Sequence, residues 1–349
     1  MPDLDRLFIE SIPLIDVRSP GEFASGHFPN SVNLPILSDE ERKEVGIAYK
    51  HQGQEAAIEL GHRLVSNQIR KERVLEWVSF LKRHPHAQLY CARGGLRSQI
   101  ATRWIQEAGI PVKRIEGGYK ALRSHLLERM EALLKTLRFQ LIGGKTGSGK
   151  THFLRESGLP HIDLEALARH RGSSFGAIGP QPSQAVFENA LIIEMLRMDP
   201  MKPVLLEDES IMIGSLQLPL ELHHRMKESP LWILNTPLSE RIRNIARDYV
   251  IDRLKTDPSP PQETVAFFLS SLERIAKKLG GLKKSEIAKQ IRMSFEGPHF
   301  QEPEAHFQWI EALLVEYYDP YYEKGLEKSK GRVVGQGTKN ELASRQWVS

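Results

Sequence analysis

The sequence predicts two α/β domains in tandem, the second built on a parallel sheet and followed by a helical C-terminal region. Three observations predict it. A length of 349 residues exceeds what a single core usually serves. One short apolar run ends at a cysteine and is followed by a glycine-rich loop and a helical pattern. A second apolar run enters a complete phosphate-loop motif.

In the first domain, residues 13–18 read as a buried strand ending in charge, and residues 87–90 as a second strand that stops at Cys91. Ser98 opens a helix through Ile105, with Gly109 and Pro111 as stop signals. Glu116-Gly117-Gly118-Tyr119 closes the region, and helical spacing continues to Leu137, where the domain boundary falls. The second domain spans 138–330. Its first strand, residues 138–142, leads into the phosphate loop and a helix, and further strands are expected at 161–162, 204–206 and 231–234. Beyond residue 238 the pattern turns helical. The polar, glycine-containing tail 331–349 is expected to be partly disordered.

Hydrophobic residues make up 40% and charged residues 26%, the balance of a folded soluble chain rather than a disordered or membrane one. No apolar run approaches the roughly 18 to 20 residues of a membrane span, and the opening MPDLDRLFIE lacks the basic and apolar regions of a secretory signal. A cytoplasmic location without a membrane partner is therefore expected. The formal net charge of +4 is compatible with a polyanionic partner without requiring one. Cys91 is the sole cysteine, which excludes an intramolecular disulfide and any multi-cysteine zinc site.

Cys91-Ala92-Arg93-Gly94-Gly95-Leu96-Arg97-Ser98 sets a thiol at a strand end, two glycines in a tight loop, two arginines, and then a helix start. Loop amides, the positive end of a helix and Arg93 and Arg97 all favour a thiolate, and the same cradle can hold an oxyanion. Packing alone would not call for Gly94, Gly95 and two cations around a sulfur. Asp16 and Arg18, at the end of the first strand, are expected to organise this loop as an ion pair rather than to perform chemistry.

Gly144-Lys145-Thr146-Gly147-Ser148-Gly149-Lys150-Thr151 satisfies the phosphate-loop pattern in its required strand-to-helix context. Its glycines let amides point at phosphate oxygens, Lys150 supplies a cation, and Thr151 offers a hydroxyl to phosphate or to Mg²⁺. Glu207-Asp208-Glu209 follows the strand 204–206, where carboxylates stand near the phosphates; either Glu207 or Asp208 is expected to face the site. Arg169, His170 and Arg171 are candidate contacts to substrate phosphates or a nucleic-acid backbone. Arg241, Arg243, Arg247, Lys277-Lys278 and Lys283-Lys284 are further basic candidates. The sequence assigns no protein ligand set for a metal and no oligomeric state.

The stretch from Asp16 to Phe23, the stretch from Gly26 to Pro35, the Cys91 loop and the segment Glu116-Gly117-Gly118-Tyr119 together resemble the rhodanese family. That resemblance implies a cysteine that carries sulfur or selenium as a persulfide-type adduct. The phosphate loop is similar to that of tRNA dimethylallyltransferases, which bind a prenyl diphosphate. The combination of both units with Glu40 to Gly46, Leu164 to Gly176, Gln181-Pro182-Ser183-Gln184, Glu207-Asp208-Glu209-Ser210 and Tyr317-Tyr318-Asp319-Pro320-Tyr321-Tyr322 resembles the tRNA 2-selenouridine synthase family over residues 8–325. The resemblance implies a tRNA carrying 2-thiouridine at the wobble position as partner, with geranyl diphosphate and selenophosphate as co-substrates. Geranyl diphosphate would alkylate the sulfur, and selenium would then replace the geranylthiol. A different enzymatic reading stays open: a rhodanese-type sulfurtransferase with persulfide on Cys91, coupled to an ATP-dependent kinase or adenylating phosphate-loop domain.

Overall fold

A computed structural model describes residues 4–256 and 260–344. Contacts divide it into two units. The first holds the residues up to Lys135 together with Pro182–Arg197, and the second holds Thr136–Gln181 together with the residues from Met198 on.

In the first unit, β1 (Leu14–Asp16), β2 (Ser31–Asn33), β3 (Gln88–Tyr90) and β4 (Lys113–Arg114) form a parallel sheet in the order β2-β1-β3-β4. Ile15 stands beside Val32 on one side and Leu89 on the other. Leu14, Ile15 and Asp16 are all buried, as expected of a central parallel strand covered on both faces. Ile15, Leu89, Trp77, Trp104 and Ile105 form the middle of the core. Between β2 and β3 run two helices, Asp39–Leu64 and Asn67–Arg83. The first starts on a capping box of Ser38 and Glu41 and is broken at Gly53.

A third helix, Gln184–Leu196, also belongs to this unit although its sequence neighbours lie in the other. Its Asn189 donates to the His27 carbonyl at 2.9 Å and accepts from Arg123 at 2.8 Å, while Phe187, Leu191 and Ile192 are buried. A cut of the linear sequence at residue 137 therefore assigns this helix to the wrong unit. Two part-buried side-chain hydrogen bonds and an apolar face hold it, and the distant partners of those bonds leave no local signal.

In the second unit, β5 (Arg138–Gly143), β6 (Pro203–Glu207), β7 (Met212–Ile213), β8 (Leu216–Gln217), β9 (Leu231–Leu234) and β10 (Val333–Gly337) follow in chain order. Four of them make a parallel sheet in the order β10-β9-β5-β6, with β7 and β8 as a separate antiparallel pair. The strand expected at 161–162 is reduced to a single bridge between His161 and Leu205.

The tail expected to be disordered instead supplies the edge strand β10, paired with β9, and Leu342 behind it is fully buried. Alternating polarity and two glycines hide the strand from the sequence. Residues 345–349 of that tail lie outside the described residues. Helices Pro261–Leu279, Gly281–Ser294 and Phe307–Leu313 pack around Phe268, Trp309 and Ile310. No helix among the described residues is long and apolar enough to cross a membrane.

Candidate active sites

The first site is the loop after β3. Cys91 is almost fully buried, and its Sγ donates to Ser98 Oγ at 3.2 Å, while Ser98 Oγ donates to the Gly95 carbonyl at 2.9 Å. With the sulfur ionised, the same hydroxyl can rotate to donate to it. The amides of Ala92, Arg93, Gly94 and Gly95 have no acceptor among the described residues, so the loop presents open N–H donors beside the thiol.

The loop's shape is imposed by the Glu116-Gly117-Gly118-Tyr119 segment. Tyr119 N–H donates to the Cys91 carbonyl at 2.8 Å, Lys120 N–H to the Ala92 carbonyl at 3.0 Å, and Arg114 to the Gly94 carbonyl. With its carbonyls taken from outside, the loop turns its amides inward. Gly118, at φ +58, lies against the Cys91 carbonyl, where a Cβ would fall 2.1 Å from the oxygen.

The cations of this region divide by role. Arg97 forks onto Glu22 at 2.5 and 3.1 Å and is occupied there rather than at the sulfur. Arg97 holds the Glu22 carboxyl down at about 2 against the effect of burial, with help from the Ser19 amide and from Arg42. Arg93 is exposed and pairs with no carboxylate among the described residues, which leaves it as the available cation of the loop. Asp16 and Arg18 form a buried two-point ion pair; Arg18 also donates to the Gly26 carbonyl at 2.5 Å and lies 4.0 Å from the centre of the Tyr119 ring. They brace the strand ends from which the Cys91 loop hangs.

The second site is the phosphate loop after β5. Arg241 donates to the Thr146 carbonyl at 2.8 Å, Asn244 to the Gly147 carbonyl at 3.0 Å, and Thr236 to the Ser148 carbonyl at 2.9 Å. Three successive carbonyls are thus held from behind. The amides of Thr146, Gly147 and Gly149 have no acceptor among the described residues. Gly147, at φ +80, has the Arg241 carbonyl 2.8 Å from where a Cβ would sit. Lys150 Nζ lies 3.2 Å from the Gly144 carbonyl, and Ser148 Oγ is buried without a partner. Arg241 is itself buried and paired with Asp319 at 2.5 Å, so it is a loop brace and not the phosphate contact its sequence position suggests.

A cavity of about 660 Å³ opens over this loop. Of the carboxylates that line it, Glu165, Glu207 and Glu209 bring ligand oxygens within 4.8 Å of one another. Glu165 accepts from Thr151 at 3.3 Å, and Glu207 Oε1 is buried without a partner. Burial pushes Glu207 up to about 7; Lys150 pulls against this and Glu209 adds to it. Burial raises Glu209 as well, with Lys150 opposing, and raises Glu165 strongly, with Glu207 and Glu209 adding.

Asp208, between the two glutamates, also lines the cavity, and its carboxylate pairs with Lys227 and Arg332 at 3.2 and 3.1 Å. β6 ends at Glu207, and the Glu209 amide folds back onto the Glu207 carbonyl at 2.8 Å, a turn at Asp208 that leaves Glu207 and Glu209 grouped with Glu165 and Asp208 with the two cations. Of the basic run, Arg171 lines the cavity and lies 5.2 Å from the Tyr249 ring centre, Arg169 is exposed, and His170 is buried. Arg247 and Lys283, two of the other basic candidates, are taken by Asp248 and Glu316.

Two family models match the chain. The model described as a rhodanese-like domain covers residues 3–125, and the model described as tRNA 2-selenouridine synthase AAA domain covers residues 137–348. Curated relatives named tRNA 2-selenouridine synthase from Marinobacter nauticus and Bordetella bronchiseptica are each 44% identical, covering 96% and 97% of this chain and 95% of the relative in both cases. A third, from Azotobacter vinelandii, is also 44% identical over 97% of this chain and 95% of its own. The chain belongs to the tRNA 2-selenouridine synthase family.

In this family member the structure brings together Gly144, Gly147, Ser148, Gly149, Lys150, Thr151 and Glu207 at one site, and Cys91, Gly94, Gly95 and Ser98 at the other. The sequence reading missed Glu165, which lies at a helix start remote from the loop. It also missed the tyrosines: Tyr249, Tyr317, Tyr318, Tyr321 and Tyr322 line the phosphate-loop cavity. The Tyr-Tyr-Asp-Pro-Tyr-Tyr run held the signal for the last four, because its Asp319 anchors Arg241 and so fixes the run against the loop.

Proposed function

We propose that this chain synthesises 2-selenouridine at the wobble position of tRNA in two steps at its two anion-binding loops. The phosphate loop holds geranyl diphosphate, and the sulfur of 2-thiouridine is alkylated there. The Cys91 loop then exchanges the geranylthiol for selenium from selenophosphate. The observation that carries the reading is the pair of loops itself: each has its carbonyls held from outside and its amides open, but only one presents a thiol.

A thiocarbonyl sulfur is a poor leaving group. Alkylation makes it a better one and makes C2 of the base more electrophilic. At the phosphate loop, the amides of Thr146, Gly147 and Gly149 and the Lys150 ammonium offset the charge on the departing diphosphate. The orphaned Glu207 Oε1, with Glu165, Glu209 and the Thr151 hydroxyl beside it, fits a divalent cation such as Mg²⁺, which would hold the diphosphate and offset its charge when bound.

At the other loop, selenophosphate brings selenium already at the selenide level. Joining it to sulfur would need an oxidant, so a persulfide-type adduct on Cys91 is not the step we assign. The Cys91 thiolate instead adds to C2, and the bond from C2 to the geranyl sulfur breaks. The selenium of selenophosphate then displaces Cys91, and water cleaves the Se–P bond, releasing phosphate. Ser98 orients the sulfur, while the amides from Ala92 to Gly95 and the free Arg93 receive the phosphate part. The reaction belongs in the cytoplasm, with tRNA as the macromolecular partner.

Purified protein given 2-thiouridine tRNA, geranyl diphosphate and selenophosphate, without nucleotide, should form 2-selenouridine. A strict ATP requirement, with hydrolysis in step with product, would instead support the sulfurtransferase coupled to an ATP-dependent domain.

A further inference from the structure

The first unit contains a second cavity that the chemistry above does not use. It measures about 820 Å³, within the roughly 300 to 1,000 Å³ of small-molecule sites. Leu96, Ile100 and Trp104 form one wall, from the helix that follows the Cys91 loop. Val45, Ala57 and Ile58 come from the helix Asp39–Leu64, whose break at Gly53 lets residues before and after it line the same space. Lys43, Lys50 and Arg97 also line it, and neither lysine has a carboxylate partner among the described residues.

Two glycines leave room at the cavity wall. Gly46 and Gly61 line the cavity from within the helix Asp39–Leu64, where glycine is among the poorest helix formers. Neither has a positive φ, and nothing in the fold needs the missing side chain: a Cβ at 46 would meet no atom within 4 Å, and one at 61 only Val45 Cγ2 at 3.8 Å. A side chain at either position would project from the cavity wall, from the exposed rim at 46 and from a part-buried place at 61.

We infer that this cavity binds the prenyl chain of the S-prenylated tRNA during selenation. The inference rests on the two-step reading. Selenophosphate is small and fully polar and has no use for an apolar chamber, whereas the leaving group of this step is a ten-carbon thiol. Its sulfur must lie at the reacting C2, next to Cys91, and the cavity begins at Leu96 and Arg97, directly after the Cys91 loop. The lysines suit a ligand that is apolar in its modification and anionic in its backbone. The chain is held while the bond from C2 to its sulfur breaks, and the thiolate leaves with one proton.

The test uses the full-length protein, selenophosphate, and two anticodon-arm RNAs bearing either S-geranyl-2-thiouridine or S-methyl-2-thiouridine. Gly46→Phe, which fills the cavity from a position with room for a side chain, should lower selenation of the S-geranyl RNA at least tenfold through KM and leave the S-methyl RNA within twofold. It should still alkylate 2-thiouridine RNA with geranyl diphosphate, so that the S-geranyl nucleoside accumulates. Gly46→Ala, which adds little volume, should behave as the unsubstituted protein. Equal rates on both RNAs in Gly46→Phe and the parent, or an equal loss on both, would overturn the inference, the second because it would place RNA or a partner in the cavity. If the parent selenates 2-thiouridine RNA and cannot use the S-geranyl RNA at all, the two-step reading itself fails, and this occupant with it.

Discussion

Gly118 packs against the carbonyl of Cys91 so closely that a Cβ at position 118 would lie 2.1 Å from that oxygen and 2.6 Å from the Gly94 nitrogen. The segment after β4 is therefore the mould of the thiol loop. We expect Gly118→Ala to displace the loop, to cost about 1 to 3 kcal/mol in urea unfolding, and to abolish selenation while sparing geranylation. Retained selenation in a variant of unchanged stability would show that the loop keeps its form without this contact.

Buried carboxylates make the phosphate-loop unit sensitive to pH. Glu207 is pushed from the usual 4.5 up to about 7, chiefly by burial, so the native state favours its protonated form. A group raised in this way gives stability that is complete below its unfolded pKa and lost as pH rises through its folded one. The Tm of the Mg²⁺-free protein should fall between about pH 5 and 8, and Glu207→Gln should flatten that fall. At the upper end of that range, Mg²⁺ should raise Tm in the parent and not in Glu207→Gln. An identical pH slope in both proteins would remove Glu207 as its source.

The two acids on either side of Asp208 should separate cleanly from it. Glu209→Gln is expected to reduce geranylation at least tenfold, whereas Asp208→Asn, which loses only partly exposed pairs with Lys227 and Arg332, should stay within about threefold. Rates of S-geranyl-2-thiouridine formation check this, and a larger loss in Asp208→Asn would reverse the assignment.

Arg241 joins the loop carbonyl of Thr146 to Asp319 in the tyrosine-rich run. Arg241→Met leaves Asp319 without this partner and the Thr146 carbonyl unheld. We expect a loss of about 3 kcal/mol in denaturant unfolding and a raised KM for geranyl diphosphate. Unchanged KM in a destabilised variant would limit Arg241 to a structural role.

Much of this was legible in the sequence because short, local patterns carry it. The phosphate loop is eight consecutive residues with a fixed job for each glycine, and the Cys91 loop is equally compact. Less legible was whatever depends on distant pairing. β10 was hidden because its strand partner is the distant β9, and the helix Gln184–Leu196 because its anchors are His27 and Arg123. Arg97 looked like a partner for the sulfur because charge shows in a sequence and Glu22, 75 positions away, does not announce itself as its acceptor. The apolar cavity was invisible for the same reason, since its walls come from helices on either side of β3.

The division of labour between the two loops is tested most directly by identifying the nucleosides left by two variants. Lys150→Ala and Cys91→Ser, each shown to be folded by circular dichroism, would be given 2-thiouridine tRNA, geranyl diphosphate and selenophosphate, and the digested tRNA analysed by mass spectrometry. Cys91→Ser should accumulate S-geranyl-2-thiouridine, because a hydroxyl cannot replace the thiolate at C2. Lys150→Ala should leave 2-thiouridine and should form 2-selenouridine again when supplied with tRNA that is already geranylated. If both variants stop at the same nucleoside, the two loops do not divide the reaction in this way.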